Sequence, residues 1–89
     1  MFLSQTFAAL ADPNRQKIIK CLKKSELPVS EIAKNLDITL ATLSHHLDIL
    51  RRANLVSSRR EGRQIFYELN LSVTEEVIEA LAKMFKKEK

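Results

Sequence analysis

Apolar residues recur along most of the chain at the spacing of an amphipathic helix, and polar residues suited to helix capping separate these segments. Asp12, Ser30 and Thr39 are suited to cap the second, third and fourth helices. The segment 72–75, Ser-Val-Thr-Glu, has the capping-box pattern that opens a helix. The pattern therefore predicts five helices, over residues 2–10, 13–24, 31–36, 40–53 and 73–85.

A β-hairpin is predicted between the fourth and fifth helices. Two β-rich runs, 55–59 and 64–69, flank a turn at 60–63 that holds the single glycine of the chain, Gly62. The third and fourth helices, joined by a short turn, have the helix-turn-helix arrangement. One glycine and two prolines are too few for a sandwich or barrel. The predicted fold class is mainly α with a small β-hairpin: a winged helix-turn-helix with about five helices and a two-stranded wing.

Length and composition limit the remaining possibilities. The 89 residues are predicted to form one domain, 1–89, whose monomer is marginal because so short a chain buries only about 60–65% of its unfolded surface. One cysteine cannot form an internal disulfide, and no apolar run is long enough to span a membrane. The N-terminus lacks the basic segment of a secretory signal. We expect a cytoplasmic protein with no membrane partner.

Positive charge is concentrated around the predicted hairpin. The net charge is only +4, but five arginines fall within thirteen residues that contain one acid, Glu61. Their planar guanidinium groups suit phosphates and guanine edges. A solvated basic face is the alternative interpretation of such a cluster. The five are Arg51, Arg52, Arg59, Arg60 and Arg63.

The fourth helix has an outer face suited to DNA. When the helix is projected at 100° per residue, Leu43, Leu47 and Leu50 form its buried side. The N-terminal half of the opposite side is small, uncharged and able to form hydrogen bonds, and it consists of Ala41, Thr42, Ser44 and His45. Such a face can enter a major groove and contact base edges, with thymine methyl groups accessible to Ala41 and Thr42. An ordinary amphipathic helix with a polar exterior is the alternative.

Enzymatic and metal chemistry find little support in the sequence. The two histidines, His45 and His46, are adjacent, so on a helix they point about 100° apart. No nucleophile–base–acid set and no glycine-rich phosphate loop is recognisable. Cys21 has no neighbouring ligand in sequence, and His45 with Asp48 offers two ligands where a structural zinc needs four. We expect no catalytic residue, no cofactor and no metal site.

Several ordered segments together resemble the ArsR/SmtB family of dimeric winged helix-turn-helix repressors. They are DPNRQKII (12–19), VSEIA (29–33), TLSHHLDIL (42–50), LV (55–56) and RREGR (59–63), and the Ser-His-His-Leu sequence is the most specific. The resemblance implies that residues 41, 42, 44 and 45 face a groove and that the hairpin at 59–64 lies over the DNA backbone or minor groove. Metal-sensing relatives carry cysteines in the third helix or histidines in the last. Residues 29–36 contain no cysteine and residues 72–89 no histidine. The chain therefore looks closer to the metal-free, autorepressor-like branch.

The predicted function is sequence-specific DNA binding by a homodimeric transcriptional repressor, through the helix at 40–53 and the wing at 55–69. Arg51 is expected to pair with an acid rather than contact DNA. The predicted DNA-binding residues are Thr39, Ala41, Thr42, Ser44, His45, Arg52, Arg59, Arg60, Arg63 and Gln64. Two alternatives stay open. One is a winged-helix protein-interaction module, and the other is a metal-sensing repressor whose site is formed between subunits by carboxylates such as Glu75, Glu76 and Glu79.

The terminal helices are predicted to form the dimer interface. The first helix has no charged residue, and one side of the last helix is apolar, so a small core cannot cover both. The alternative is that both helices close the core of their own subunit. A two-fold dimer predicts an inverted-repeat operator with half-sites about 10–11 base pairs apart or a multiple of that distance. The predicted interface residues are Phe2, Leu3, Phe7, Leu10, Val77, Leu81, Met84 and Phe85.

Overall fold

The protein consists of five helices and a three-stranded antiparallel sheet. The structure is a computed structural model that describes residues 2–86, with every side chain in that range except those of Phe2 and Leu3. The predicted class, a winged helix-turn-helix with five helices, is confirmed, but the sheet has one strand more than the two predicted. The elements in chain order are α1 (Phe2–Leu10), α2 (Pro13–Leu22), β1 (Leu27–Pro28), α3 (Val29–Ala33), α4 (Leu40–Arg52), β2 (Val56–Glu61), β3 (Gln64–Leu69) and α5 (Leu71–Phe85).

Local capping chemistry sets the start of α2. The carboxylate of Asp12 accepts hydrogen bonds from the backbone amides of Asn14 and Arg15, at 2.8 and 3.1 Å, so the predicted cap is confirmed. The helix ends two residues earlier than predicted. The amide of Lys23 donates to the carbonyl of Lys20, and this shorter loop tightens the last turn.

The third helix is shorter and begins earlier than the sequence predicted. It starts at Val29, directly after Pro28, whose extended backbone ends β1, and no side chain caps it. The predicted cap at Ser30 and the predicted range 31–36 are therefore wrong. After Ala33 the amides of Asn35 and Leu36 bond to carbonyls three residues back, so the chain tightens into a turn instead of continuing as an α-helix.

The DNA-facing candidate helix, α4, has defined ends. Thr39 caps it by accepting a hydrogen bond from the amide of Thr42 at 3.1 Å, as predicted. Asn54 follows the helix with a φ of 62°, the left-handed conformation that asparagine tolerates. The amide of Leu55 bonds to the carbonyl of Leu50, and that of Asn54 to Arg51, which together form a Schellman motif. These bonds turn the chain from α4 directly into β2.

The sheet has the order β1-β3-β2, with Arg60 opposite Ile65 and Leu27 opposite Tyr67. The hairpin turn is only two residues, Gly62 and Arg63, and not the four predicted, because Glu61 already pairs with Gln64. Gly62 has a φ of 63°, which suits the first central position of a type II′ turn. We refer to residues 56–69 as the wing.

The last helix begins at a different cap from the predicted one. Asn70 stands at the N-cap, and its side chain accepts a hydrogen bond from the amide of Val73 at 3.5 Å. The amide of Asn70 also donates to the carbonyl of Leu55, which fixes this residue at the end of the sheet. Asparagine caps helices as well as serine does. The capping box predicted at Ser72 is therefore wrong.

One hydrophobic core lies beneath α2, α3, α4 and the base of the wing. Its buried side chains come from α2, the helix-turn-helix and the start of the wing, and they include Ile18, Leu22, Ile32, Leu43, Leu47, Leu50, Leu55 and Val56. α5 contributes one buried residue, Val77. None of the helices described is long and apolar enough to cross a membrane.

Candidate nucleic-acid interface

The outer side of α4 presents a neutral surface to solvent. We call Ala41, Thr42, Ser44 and His45 the reading face, and all four are exposed. Leu43, Leu47 and Leu50 are buried beneath them, as the projection of the helix predicted. No acidic residue lies in the first turn. The N-terminal half of α4 can therefore approach a DNA major groove without charge repulsion.

The two threonine hydroxyl groups at the start of α4 bond to each other and leave one hydroxyl hydrogen free to donate. Thr39 Oγ1 donates a hydrogen bond to Thr42 Oγ1 at 2.9 Å and accepts the amide of Thr42. The hydroxyl hydrogen of Thr42 is then available to an external acceptor, such as a base edge. Thr39 itself is exposed but is occupied by its capping role.

The two arginines at the end of α4 share one carboxylate. Arg51 Nη2 lies 2.7 Å from Asp48 Oδ1, which confirms the predicted pairing of Arg51, and Arg52 Nε lies 2.9 Å from Asp48 Oδ2. Arg52, a predicted DNA-binding residue, is therefore held along the helix surface by an exposed ion pair. Such pairs are weak, so Arg52 can exchange Asp48 for a phosphate.

Arg59 is bound within the protein. Its guanidinium donates to both carboxylate oxygens of Glu26, with the Nε–Oε2 distance at 3.2 Å, and to Glu61 Oε2 at 2.8 Å. The guanidinium carbon also lies 4.7 Å from the centre of the Phe66 ring, within range of a cation–π contact. Arg59 thus connects the wing to the segment before β1, and two carboxylates balance its charge.

The ion pair changes the acidity of both partners. The hydrogen bond from Arg59 lowers the pKa of Glu26 below its ordinary value. The hydrogen bonds to Glu26, and then to Glu61, raise the pKa of Arg59. The pair is therefore fully charged at neutral pH.

The tip of the wing carries the remaining predicted DNA-binding residues. Arg60, Arg63 and Gln64 are exposed, and Arg60 Nε donates to the carbonyl of Gly62 at 3.2 Å. Within the part of the chain that the structure describes, no carboxylate pairs with Arg60 or Arg63. Among the predicted DNA-binding arginines, these two are the most available to a phosphate.

A partly buried polar network that the sequence did not predict holds α4 in place. Arg15 donates from Nε to the carbonyl of Ala9 at 2.7 Å, from Nη2 to Ala8 at 3.3 Å, and from Nη1 to His46 Nδ1 at 3.0 Å. His46 is only 8% exposed, and its Nε2 lies 3.9 Å from Asp12 Oδ2. Burial raises the pKa of Asp12, but hydrogen bonds from the amides of Arg15 and Asn14, together with nearby positive charge, leave the pKa lowered. This network joins the end of α1 to the reading helix.

The predicted dimer residues divide into buried and exposed groups. Phe7 and Leu10 are partly buried against the core of their own subunit, and Val77 is 4% exposed within that core. The side chains of Phe2 and Leu3 lie outside what the structure describes. Leu81, Met84 and Phe85 are exposed. Two further exposed apolar side chains of α5, Leu71 and Ile78, were not predicted.

No cluster of three or more potential metal ligands of the His, Cys, Asp and Glu types occurs among residues 2–86. Cys21 is half-buried on α2 and unpaired.

Comparison with known proteins places these features in a family. The sequence profile described as "Bacterial regulatory protein, arsR family" matches residues 12–58, which span α2 through the first part of β2. The Transcriptional repressor SdpR of Bacillus subtilis is 37% identical over 76 residues, covering 85% of this chain and 84% of that protein. The Biofilm growth-associated repressor of Agrobacterium fabrum is 42% identical over 76 residues, covering 85% of this chain and 65% of that protein.

Solved structures of transcriptional regulators are similar to this fold. The structure of HlyU from Vibrio cholerae superimposes with a TM-score of 0.78 and 32% sequence identity. The superposition covers 94% of this chain and 91% of HlyU, so the two folds are similar over nearly their whole length.

Proposed function

Because this chain belongs to the arsR family of bacterial regulatory proteins, a family of DNA-binding transcriptional regulators and not of enzymes, we propose that it is a homodimeric transcriptional repressor that binds one specific operator sequence. One observation carries this proposal: the exposed, uncharged reading face of α4 lies beside a wing in which Arg60 and Arg63 have no carboxylate partner among the described residues. The names of SdpR and the Agrobacterium protein, both repressors, support repression, whereas HlyU is named a transcriptional activator.

The reading face supplies specificity. His45 and Ser44 are exposed and able to form hydrogen bonds, and Thr42 has a free hydroxyl hydrogen. Inserted in the major groove, these groups would meet the donors and acceptors of the base edges, where the four base pairs differ. Thr39 and Ala41 complete the surface, with Thr39 fixing the first turn.

The wing supplies affinity that does not depend on sequence. Arg60 and Arg63 at its tip would contact phosphates, with Gln64 beside them, and Arg52 would add a contact by releasing Asp48. Arg59 is a weaker candidate, because its charge is already balanced by Glu26 and Glu61. In the proposed complex, Arg59 orients the wing and leaves the contacts to its neighbours.

The decisive experiment separates the two kinds of contact. Duplexes selected from a random pool would give the operator, and binding would then be measured over a range of salt concentrations. About six phosphate contacts in the dimer complex predict a log–log slope near −5. His45→Ala and Thr42→Val should reduce the ratio of operator to random-duplex affinity, since each good base contact contributes about 1–3 kcal/mol of discrimination.

Arg60→Ala and Arg63→Ala should instead weaken binding to both duplexes about equally and make the salt slope less negative. Lys83→Ala is the matched control, because it also removes one exposed cation but does so on α5. Binding to no duplex, or binding that is insensitive to salt, would favour the protein-interaction module. A His45→Ala variant with unchanged discrimination would place a different surface in the groove.

A further inference from the structure

One large apolar side chain stands at the start of the reading helix. Leu40 is the first residue of α4 and is 65% exposed. Of the side chains described between residues 4 and 64, it is the only large hydrophobic one that is exposed. The others that are exposed, from Ile65 onward, belong to β3 or α5. Leu40 is therefore separate in sequence from the exposed apolar face of the last helix.

Leu40 borders the reading face. Residues four apart lie next to each other on a helix, so Leu40 stands one turn before Ser44 on the same side of α4. Ser44 is exposed, and Ala41 lies beside it. A helix whose N-terminal half enters a groove through Ala41 and Ser44 thus brings Leu40 into the groove with them.

The surroundings of Leu40 select the chemistry of its partner. No acidic residue lies in the first turn of α4, and Thr39 and Thr42 bond to each other through their hydroxyls. Apart from the free hydroxyl hydrogen of Thr42, the first turn therefore offers carbon: the leucine side chain, the Ala41 methyl and the threonine methyls. In the major groove, the apolar group that such a surface meets is the C5-methyl of thymine.

We propose that Leu40 is a specificity-determining residue that packs on a thymine methyl, so that the preferred half-site contains adjacent T·A pairs opposite the first turn of α4. The inference rests on the proposed function, because it requires α4 to lie in the major groove. The inference adds to the proposed function one DNA-contacting residue and a base composition for part of the operator. A half-site read by Ser44 and His45 alone would not require those thymines.

Replacing single thymines by deoxyuridine tests the contact directly, since the change removes one methyl group and preserves base pairing. With the operator selected from a random duplex pool, each half-site thymine would be replaced in turn. For one thymine we expect wild-type affinity to fall about fourfold, the effect of removing one buried methyl-sized group. The Leu40→Ala variant should bind the unmodified operator at least about fourfold more weakly than wild type. Its affinity should no longer change when that thymine is replaced by deoxyuridine.

Lys83→Ala is the control. Lys83 is also exposed, at 74% of its side chain, but it lies near the end of α5 and outside the reading helix, so its loss should leave the deoxyuridine response intact. Both positions are exposed, and neither substitution should unfold the domain. Tight operator binding that no deoxyuridine replacement weakens, or a Leu40→Ala variant with the wild-type response at every thymine, would overturn this inference and leave the proposed function standing. A shift of Leu40→Ala to a different oligomeric state would assign Leu40 to a contact between copies instead. Failure to select any operator would refute the proposed function itself.

Discussion

Arginines that look equivalent in the sequence have different roles at the scale of single residues. Arg59 and Arg60 are adjacent, but they lie on opposite faces of β2, since side chains alternate along a strand. Arg59 stacks on Phe66, its direct cross-strand neighbour, and binds Glu26. Arg60 stays exposed near Gly62. Position on the strand therefore decides which arginine holds the wing and which one can contact DNA.

Removing the Glu26 carboxylate should loosen the wing while keeping all of its arginines in place. For Glu26→Gln we expect amide hydrogens of β2 and β3 to exchange about threefold faster at neutral pH. The effect is small because ion pairs and cation–π contacts at exposed sites contribute little free energy. The pKa of Glu26 is lowered in the folded protein. The stabilisation that the Glu26 carboxylate provides is thus fully present above the ordinary pKa of 4.5. It is lost as the pH falls through the lower pKa of the folded protein.

Hydrogen exchange of wild type and Glu26→Gln should therefore converge in acid. Glu31→Gln, which breaks the exposed pair with Lys34 on α3, serves as the control and should not alter exchange in the wing. Equal exchange rates in wild type and Glu26→Gln at neutral pH would remove Arg59 from its proposed positioning role and return it to the candidates for DNA contact.

Local contacts were predictable from the sequence at this scale, and distant ones were not. Asp12 and Thr39 bind backbone amides within three residues of themselves, so residue type and position sufficed to predict both caps. The partner of Arg59, Glu26, lies 33 residues away. No spacing rule connects them, because the pairing of β1 with β3 brings them together. The buried network of Arg15 and His46, 31 residues apart, was missed for the same reason.

At the scale of elements, Arg15 connects three helices. It belongs to α2, and its guanidinium binds carbonyls at the end of α1 and the Nδ1 atom of His46 on α4. An arginine has only donors, so Nδ1 of His46 accepts and its proton resides on Nε2, on the side of Asp12. The orientation of α4 therefore depends on a group outside the helix-turn-helix.

We predict that Arg15→Lys lowers the free energy of unfolding by about 1–2 kcal/mol. An ammonium group keeps the charge but cannot donate in the fixed three-way geometry of a guanidinium, and the buried acceptors then lose partners. Urea unfolding measures the change. Gln16→Ala is a control that removes one hydrogen bond from the exposed surface to the carbonyl of Leu10, also at the end of α1, and should cost less. Equal costs for the two variants would contradict a special role of Arg15.

The shortest elements are the ones whose positions the sequence failed to predict. α1 and α4, with nine and thirteen residues, start as predicted and end within one residue of the predicted end. α3, with five residues, and β1, with two, are too short to show a period, and α3 was misplaced while β1 was missed. Pro28 belongs to this strand at the edge of the sheet, where its missing N–H is tolerated.

At the scale of the whole molecule, α5 leaves the monomer incomplete. A compact chain of this length has a radius of gyration of about 12 Å, whereas the described residues give 14.1 Å and an extent of 54 Å along the longest axis. α5 has one buried residue, and Leu71, Ile78, Leu81, Met84 and Phe85 are exposed. Exposed apolar groups of this kind, when contiguous, mark protein interfaces. The proposal of a two-fold dimer through α5 rests on this face, with α1, whose Phe7 and Leu10 are only partly buried, beside it.

Ile78→Glu is the substitution that tests the dimer with least damage to the monomer. Ile78 is 61% exposed and lies next to Val77, which packs in the core of its own subunit. In a dimer, a carboxylate at position 78 would be buried without a partner. We expect sedimentation equilibrium to show a dimer for wild type and a monomer for Ile78→Glu, with an unchanged circular dichroism spectrum and a loss of tight operator binding. Leu81→Glu should act in the same direction, although Leu81 is only 38% exposed and so contributes more to its own subunit.

Two controls distinguish the interface from the fold. Lys83→Glu places a carboxylate on the polar side of α5, 74% exposed at the side chain, and should leave the dimer intact. Val77→Ala should destabilise the folded subunit because it opens a cavity in the core. A dimer that survives Ile78→Glu would assign the interface to another surface, and a monomeric wild type that still binds its operator tightly would contradict the inverted-repeat geometry. The two observations that the proposal requires, dissociation and weakened binding, should appear together, because a two-fold axis is what places two reading helices on half-sites about 10–11 base pairs apart or a multiple of that distance.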